Sequence, residues 1–187
     1  MKEKLRQHIE KRVSLTDEEF ALVLAHMTEK NFRKHQFLIQ EGERVRYAYF
    51  VVSGLLKLTY TDESGKSHIV SFAMEDWWES DFNAFFNQTE ATLSLDCLED
   101  TAVFCFSLAD FQRLCTGLPK FERFFVHLAI AGSVAAQQRI LSLLTTNAQE
   151  WYEQLIKLYP TLVQRVSKAM LASYLGVSRE TLSRLTS

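Results

Sequence analysis

Several features are scarce in this 187-residue chain, and each absence excludes a class of protein. The three cysteines are an odd number without a CxxC pair, which excludes a disulfide framework and a four-cysteine zinc or iron–sulfur site. The longest nearly apolar run, 124–136, is shorter than the roughly 20 residues that a membrane-spanning helix needs. There are only two prolines and no low-complexity linker. We therefore expect neither a membrane-spanning segment nor a disulfide-stapled domain.

Catalytic and metal-binding patterns are missing as well. The chain contains no GxSxG, HExxH or P-loop motif. A cupin-type metal site on a β-sandwich would need two histidines close together, a carboxylate and a further histidine. The histidines of this chain are far apart, at His8, His26, His35, His68 and His127. We therefore expect no metal site, no cofactor and no enzymatic activity.

The composition is that of an ordinary globular protein, except that the C-terminal residues carry more basic than acidic side chains. Hydrophobic residues make up 47% and charged residues 24%, which is enough for a sizeable core. The charged start, Met1–Arg6, predicts a helix rather than a signal peptide, so we expect a cytoplasmic protein. The formal net charge is −2, yet residues 160–187 carry four basic side chains against one acidic one. This pattern fits either a nucleic-acid-binding end or four scattered surface charges.

The order of local patterns predicts a helix followed by a β-rich region. Thr16 and Glu19 form a capping-box pattern, and the helix is predicted over Asp17–Lys30. Short segments rich in Val, Phe, Tyr and Leu follow, separated by single glycines, which favours an antiparallel sandwich or barrel. A jelly-roll fits, although strand count alone does not distinguish it from other β-sandwiches. The predicted strands are Phe37–Ile39, Tyr47–Val52, Leu55–Tyr60, His68–Ala73, Thr92–Leu95 and Ala102–Ser107.

Helical patterns return after the β-rich region. A short helix is predicted over Leu108–Thr116, and a long one runs from Phe121 to about Asn147. The small side chains of Ala129–Ala136 let another helix approach closely, and a helix of about 27 residues extends roughly 40 Å, more than a small sandwich needs. We therefore favour a dimer seam, and packing of this helix on its own β-domain is the alternative. The seam positions are Ile130, Val134, Leu141 and Leu144.

The segment 167–185 has the pattern of a helix-turn-helix unit. Ser167 and Ser178 are placed to cap its two helices, and Gly176 falls where the turn needs a positive φ. Ala172 lies where the helices cross, and a larger side chain there would separate them. A generic helical hairpin with a charged face is the alternative. The apolar positions that would form the core are Met170, Leu171, Tyr174, Val177, Leu182 and Leu185.

The second helix of this unit carries polar side chains opposite its apolar positions, as a helix in a major groove does. Arginine can bind guanine with two hydrogen bonds, and glutamate can accept one from cytosine. The candidate base-reading residues are Arg179, Glu180, Ser183 and Arg184. The candidate phosphate contacts, which position a protein on DNA without specifying sequence, are Arg165, Ser167, Lys168 and Ser173.

Two motifs resemble the cyclic-AMP receptor protein / fumarate–nitrate regulator (Crp/Fnr) family. The sequence LGVSRETLSR at 175–184 resembles its recognition segment, and QEGE at 40–43 with YAYFVVSGLL at 47–56 resembles its β-roll. The resemblance covers essentially the whole chain and implies an α+β fold in which a ligand in the roll reorients the DNA-binding heads. The implied domains are an antiparallel β-roll (a double-stranded jelly-roll of the cyclic-nucleotide-binding kind) with flanking helices over 1–118, a dimerisation helix over 119–147 and a helix-turn-helix domain over 148–187.

The sequence departs from that family where the cyclic nucleotide would bind. The family holds the cyclic phosphate with an arginine followed by a small hydroxyl residue, whereas no Arg or Lys occurs between Lys66 and Arg113. A buried phosphate without a cation is poorly compensated, and Glu90 would repel it. We therefore predict that the roll does not bind cyclic AMP in the usual way.

Aromatic residues and two acids are concentrated in the same segment. Such a cluster can line a pocket for an apolar or cationic ligand. It can equally form part of the core, and this is the interpretation we favour. The candidate effector-pocket residues are Trp77, Trp78, Glu79, Asp81 and Phe82.

The leading hypothesis is a homodimeric transcription regulator that reads a pseudo-palindromic site with half-sites roughly 34 Å apart. Its expected partners are double-stranded DNA, a second copy of the chain, RNA polymerase and an unidentified small-molecule effector, with no membrane. The alternative is a small-molecule-binding signalling module that has lost specific DNA binding. Only three residues follow Arg184, whereas the family commonly adds a β-wing, so we expect a shortened DNA-binding head.

Overall fold

The computed structural model describes residues 1–145 and 147–185, with every side chain in these ranges except that of Leu185; Thr146, Thr186 and Ser187 lie outside the described residues. Two antiparallel sheets form a β-roll. Its strands are β1 (Thr28–Phe32), β2 (Phe37–Ile39), β3 (Ala48–Ser53), β4 (Leu56–Thr61), β5 (Ser67–Ala73), β6 (Trp78–Glu79), β7 (Ser94–Cys97) and β8 (Thr101–Phe106). One sheet has the order β1-β8-β3-β6 and the other β2-β7-β4-β5.

Helices precede, interrupt and follow the roll. They are α1 (Lys2–Glu10), α2 (Asp17–Ala25), α3 (Phe82–Asn87), α4 (Leu108–Gly117), α5 (Pro119–Thr145), α6 (Ala148–Leu158), α7 (Pro160–Arg165), α8 (Lys168–Leu175) and α9 (Arg179–Leu185). Below, the roll means residues 28–106 and the head means residues 148–185.

The predicted β-rich region is confirmed as a jelly-roll-like pair of sheets, and each of the six predicted strands corresponds to an observed one. The helix predicted over Asp17–Lys30 is wrong beyond Ala25, where α2 ends. Residues 28–32 instead form β1, which pairs with β8 from Thr28 opposite Cys105 to Phe32 opposite Thr101. Backbone pairing with a distant strand outweighs the local helical periodicity at this point.

A tight connection joins β3 to β4 and requires glycine. Gly54 has a φ of 107°, in the region that side chains rarely adopt. A Cβ atom at this position would lie 2.7 Å from the Thr101 Cα and 2.8 Å from the Asp100 carbonyl oxygen. Only a residue without a side chain lets β3 turn this close to the start of β8.

Two apolar clusters hold the elements together. The first fills the roll and includes α1 and the start of α5, with Leu5, Ile9 and Phe121 fully buried. The second joins Leu55 and Phe72 of the roll to buried side chains of the head. The second cluster therefore seats the head against the sheet that contains β4 and β5.

Candidate nucleic-acid interface

Polar caps define where the last two helices begin and where the first of them ends. Ser167 accepts a hydrogen bond from the Met170 amide at 3.2 Å and caps α8. Gly176 ends α8 in the left-handed conformation, with a φ of 73°. Ser178 accepts a hydrogen bond from the Thr181 amide at 3.1 Å and caps α9. The turn between α8 and α9 is therefore determined by residues of the motif itself.

Apolar side chains hold α8 and α9 against each other and against the rest of the head. Leu171, Ala172 and Leu175 of α8 and Leu182 of α9 are each under 5% exposed. The methyl group of Ala172 occupies little space, so the two helices pack closely. The side chain of Leu185, which the sequence places in the same core, lies outside the described residues.

The four candidate base readers lie on the opposite, exposed side of α9. Arg179, Glu180, Ser183 and Arg184 are all exposed. The pKa of Glu180 lies below its usual range because its own backbone N–H and the Ser178 hydroxyl bind the carboxylate at the helix start. This face therefore combines two guanidinium groups, a hydroxyl and an ionised carboxylate.

Three of the four candidate phosphate contacts lie on α8 or at its start. Ser167 and Lys168 are exposed, and Ser173 is half-buried. Their position beside α9 is compatible with contacts to the DNA backbone on one side of a groove. Arg165 differs from these three, because it faces the roll.

Arg165 of α7 is bound by two carboxylates of the roll. Its Nη1 and Nη2 atoms donate to Glu75 at 2.8 and 3.1 Å, and its Nε and Nη2 atoms donate to Glu99 at 3.0 and 2.7 Å. The hydrogen bonds that Arg165 donates to Glu99 and, to a smaller extent, to Glu75 raise its pKa. Glu75 also accepts from the Gly54 amide at 2.9 Å. A contact between Arg165 and phosphate would require these ion pairs to open, so that assignment stays a prediction.

A second arginine connects the long helix, the roll and the head. Arg139 of α5 donates to the carbonyl oxygens of Val70, Ile69 and Tyr174, the last two at 3.1 and 3.3 Å. Its guanidinium carbon lies 4.1 Å from the centroid of the Tyr174 ring. Burial lowers the pKa of Arg139. Backbone carbonyls and an aromatic face, rather than a carboxylate, therefore stabilise this charge.

Aromatic contacts complete the junction between roll and head. The ring centroids of Phe72 and Tyr174 are 5.2 Å apart, and those of Trp77 and Tyr159 are 5.3 Å apart. Sequence reasoning missed the junction partners Arg139, Glu75 and Glu99 (and the role of Trp77 there). Their contacts join residues 35 to 90 positions apart, which no local spacing reveals.

Among the candidate effector-pocket residues, Trp78 belongs to the aromatic core of the roll. Its ring lies 5.1 to 5.3 Å from the rings of Phe50, Phe106 and Phe125. Its Nε1 atom donates to His8 Nε2 at 3.2 Å. Burial lowers the pKa of His8 to about 4, which keeps the ring neutral and able to accept this bond.

Glu79 is a buried carboxylate in the same part of the roll. It accepts hydrogen bonds from the Ser71 hydroxyl at 2.5 Å and from the Ser80 amide at 3.1 Å. In the described part of the chain no basic side chain forms an ion pair with it. Burial raises the pKa of Glu79 to about 7. A substantial fraction of this carboxyl group is therefore protonated near neutral pH.

The remaining two candidates have different roles again. Asp81 caps α3 by accepting from the Ala84 amide at 3.0 Å, and it also accepts from the amides of Thr92 and Leu93 at 2.9 and 3.2 Å. Phe82 is 36% exposed at the start of α3. The five side chains are thus divided among the junction, the core, a helix cap and an exposed edge, and their common role in an effector pocket stays a prediction.

Arg44 brings a cation to the far end of the segment 75–92, which lacks Arg and Lys in its own sequence. Arg44 donates to Gln88 Oε1 at 3.3 Å, and the backbones of Arg44 and Glu90 form an antiparallel bridge. Arg44 comes from the β2–β3 connection, more than 40 residues earlier in the chain. A motif read along residues 75–92 alone therefore does not reveal it.

Comparison with known proteins places the chain in a defined structural class. The family model "Cyclic nucleotide-binding domain" matches residues 29–117. The chain is similar to FixK2 from Bradyrhizobium japonicum, with a TM-score of 0.70, 19% identity and coverage of 86% of this chain and 82% of that one. It is similar to the catabolite activator protein of Thermus thermophilus, with a TM-score of 0.59, 21% identity and coverage of 92% and 83%.

A third similar structure is the c-di-GMP-responsive global regulator CLP of Xanthomonas campestris. The TM-score is 0.67 at 14% identity, with coverage of 91% of this chain and 89% of that one. No curated protein matches the sequence. At these identities the likeness shows a shared fold, and it extends over most of both chains in all three cases. The fold implied by the sequence resemblance is therefore confirmed.

Replacing Glu79 by glutamine should remove one part of the pH dependence of stability. The folded-state pKa of about 7 lies above the ordinary value of 4.5, so the folded protein binds a proton that the unfolded chain releases. This contribution is complete below about pH 4.5 and is lost as the pH rises to about 7. Relative to Glu79→Gln, the free energy of unfolding of the wild type should fall by on the order of 3 kcal/mol over that range, as measured by urea unfolding.

The comparison of wild type with Glu79→Gln also separates the effect of Glu79 on the pH dependence of stability from the effect of His8. The lowered pKa of His8 acts in the opposite direction, because its contribution is lost as the pH falls from about 6.5 towards 4. Both proteins contain His8, so their difference cancels its effect. Glu63→Gln, at an exposed turn position, is the matched control and should leave the profile unchanged. A difference between wild type and Glu79→Gln that is constant with pH would contradict the assignment.

Replacing Arg165 by methionine should weaken the attachment of the head to the roll. The variant keeps an apolar stem but leaves Glu75 and Glu99 without their cation, and we expect a loss of about 1–2 kcal/mol in the free energy of unfolding. Lys157→Met, at an exposed position of α6, is the control. In a protein that already carries Glu75→Gln and Glu99→Gln, Arg165→Met should lower the free energy of unfolding only slightly. If the losses measured by urea unfolding are instead additive, Arg165 does not interact with the two carboxylates.

Proposed function

We propose that this protein is a DNA-binding transcription regulator, because residues 29–117 match the model of the cyclic nucleotide-binding domain and the chain shares its fold with Crp/Fnr-like regulators. It reads a pseudo-palindromic site as a homodimer. The observation that carries this proposal is the exposed polar face of α9, which is held in place by a buried apolar side. The proposed domains are the roll with its flanking helices (1–118), the dimerisation helix (119–147) and the DNA-binding domain (148–187).

The chemistry of α9 supports direct reading of bases. Arg179 and Arg184 supply bidentate donors that suit guanine, and Glu180 supplies an acceptor for the amino group of cytosine. Ser183 can donate or accept. These residues lie in the first two turns after the Ser178 cap, the part of a recognition helix that enters the major groove.

The surroundings of α9 support contacts to the DNA backbone. Ser167 and Lys168 at the start of α8 are exposed, and Ser173 is partly accessible on the same helix. Arg165 joins these contacts only in a conformation in which it leaves Glu75 and Glu99. The remaining three residues position the head on DNA without specifying its sequence.

An apolar stripe on α5 supports the homodimer. Ile130, Val134, Leu141 and Leu144 are 57%, 46%, 58% and 77% exposed. Their spacing places them on one side of the helix, as in the seam of a two-stranded coiled coil. We propose that α5 of a second copy covers this stripe, which also holds two heads at the separation that successive major grooves require.

The same helix is long and apolar enough to cross a membrane by length and composition. Only 6% of its most apolar 18-residue window is buried within the protein. Four of its exposed apolar residues form the stripe, whereas Ile140 and Leu143 are exposed outside it, and Arg139 interrupts the apolar surface by binding the roll and the head. A stripe suits a partner helix better than a bilayer, so we propose a cytoplasmic protein without a membrane partner.

We propose that the roll responds to an unidentified small molecule and that it does not bind cyclic AMP in the usual way. Glu79 places an acid in the interior of the roll, and residues 75–92 contain no Arg or Lys.

RNA polymerase stays an expected partner of the protein. In the described part of the chain no group of three or more His, Cys, Asp or Glu is placed to hold a metal ion. The matched family is regulatory, and we propose no catalysis.

The second candidate is a small-molecule-binding signalling module that does not read DNA specifically. The observation that favours it is the engagement of Arg165 by the roll, which removes one basic group from the DNA side of the head. Ligand-dependent stability without sequence-specific DNA binding would support this candidate.

Removing a base-reading arginine should reduce both the affinity for DNA and its sequence preference. Selection from random duplexes supplies the site, and electrophoretic shifts measure the variants. Arg179→Ala should weaken binding to the selected site by about 1–3 kcal/mol, because its bidentate contact is lost. Lys168→Ala should weaken binding to all duplexes about equally and reduce the slope of log affinity against log salt by about 1.

Lys66→Ala, on the β4–β5 turn of the roll, removes an equal charge outside the head and serves as the control. It should leave both affinity and selectivity unchanged. Equal weak binding of the wild type to every duplex, with no effect of Arg179→Ala, would refute specific DNA reading and leave the signalling module as the better candidate.

A charge placed in the α5 stripe should separate the dimer. Ile130→Glu would bury a carboxylate without a partner in the seam, at a cost of several kcal/mol. Light scattering coupled to size exclusion should therefore report a dimer for the wild type and a monomer for the variant. Gln112→Glu places the same charge on the exposed side of α4, outside α5, and should remain dimeric. A monomeric wild type at tens of micromolar would contradict the proposal.

A further inference from the structure

A concave surface lies at the edge of the roll, between β1, β2 and the connection 43–47. Its cavity volume is about 600 Å³, within the range of about 300–1,000 Å³ that is usual for small-molecule sites. Lys30, Arg44 and Arg46 provide three cations along it, whereas Glu43 provides the only lining carboxylate. We call this surface the rim groove.

The positive charge of the rim groove is not neutralised by the protein. In the ranges 1–145 and 147–185, none of Lys30, Arg44 and Arg46 forms an ion pair with a carboxylate. Elsewhere in the roll a comparable cation is paired, as Lys57 is with Asp96 at 3.4 Å. A groove with a net charge of +2 in a protein of net charge −2 favours an anionic occupant.

Contacts within the wall hold two of these cations in place. The Lys30 ammonium lies 3.8 Å from the centroid of the Tyr47 ring. Arg44 donates to Gln88 Oε1 at 3.3 Å, and this bond uses only one of its five donor hydrogens. Tyr49 donates to the Leu38 carbonyl at 3.0 Å and so connects β3 with β2 behind the groove. Cations ordered in advance lose less freedom when an anion binds.

The groove also has an apolar floor. Its surface is formed by Phe32 and Leu38, which are partly exposed, and beneath them Ile39, Val45 and Tyr49 are no more than 5% exposed. An inorganic ion would not make apolar contacts with this floor, and a neutral apolar molecule would not form charge interactions with the cations. We propose that the rim groove binds a small organic anion, a carboxylate or phosphate ester with an apolar or aromatic body. This site is separate from the interior around Glu79, and its occupancy does not depend on DNA binding.

Titration calorimetry on the full chain tests this inference with four probes: phenyl phosphate, benzoate, inorganic phosphate and benzyl alcohol. Phenyl phosphate, benzoate or both should bind saturably, whereas the ion without a ring and the ring without a charge should bind more weakly. Comparing the two aromatic anions identifies the preferred head group. The double variant Arg44→Gln/Arg46→Gln should raise the dissociation constant by about tenfold or more, because charge-assisted hydrogen bonds to the anion are lost.

Lys66→Gln removes an exposed cation from the β4–β5 turn, far from the groove, and is the matched control. Equal unfolding midpoints of the variants and the wild type establish that each remains folded. Absence of saturable binding for both aromatic anions at millimolar concentration would overturn the inference. So would equal affinity for inorganic phosphate and phenyl phosphate, or equal weakening by Lys66→Gln and by the double variant. None of these outcomes bears on DNA binding, which the electrophoretic experiments measure separately.

Discussion

The position of the head depends on two guanidinium groups that bridge elements far apart in the chain. Arg165 places its charge between Glu75 and Glu99, and Arg139 places its own against backbone carbonyls and the Tyr174 ring. A planar cation that stays charged and has five donors suits both environments. Because these contacts are partly shielded from water, breaking one costs more than breaking an exposed ion pair. These contacts therefore attach the head to β5 and to the segment around Glu75.

The net charge of the whole chain is close to zero, yet its basic side chains lie in three different environments. Those on α8 and α9 are exposed, which the proposed contact with DNA requires. Arg139 and Arg165 are withdrawn from water and hold the roll to the head. Arg44 and Arg46 line the rim groove without a carboxylate partner in the described part of the chain. The environment of each arginine, rather than their number, therefore determines what it does.

Local patterns predicted most of the fold and the contacts within the last two helices. Short strands separated by glycine, and serine caps around Gly176, depend on neighbouring residues, so the sequence reveals them. The helix predicted beyond Ala25 is wrong because residues 28–32 pair with β8, whose residues lie 69 to 77 positions further along the chain. The ion pairs of Arg165 are hidden from the sequence for a similar reason, because its carboxylate partners come from 66 and 90 residues earlier, while its contact with phosphate stays a prediction. Arg44 likewise reaches the 88–92 segment only through the fold.

The roll has a buried carboxyl group in its interior and basic side chains at its edge, and this arrangement limits which ligands each part can bind. The carboxylate of Glu79 lies in the interior with hydroxyl and amide donors but no paired cation. When ionised, it repels an anion, and desolvation already opposes its charge. At the edge, Arg44 and Arg46 are exposed and Lys30 is partly exposed, so these cations remain in contact with water. An anionic regulator of this protein would therefore be accommodated at the edge rather than in the interior.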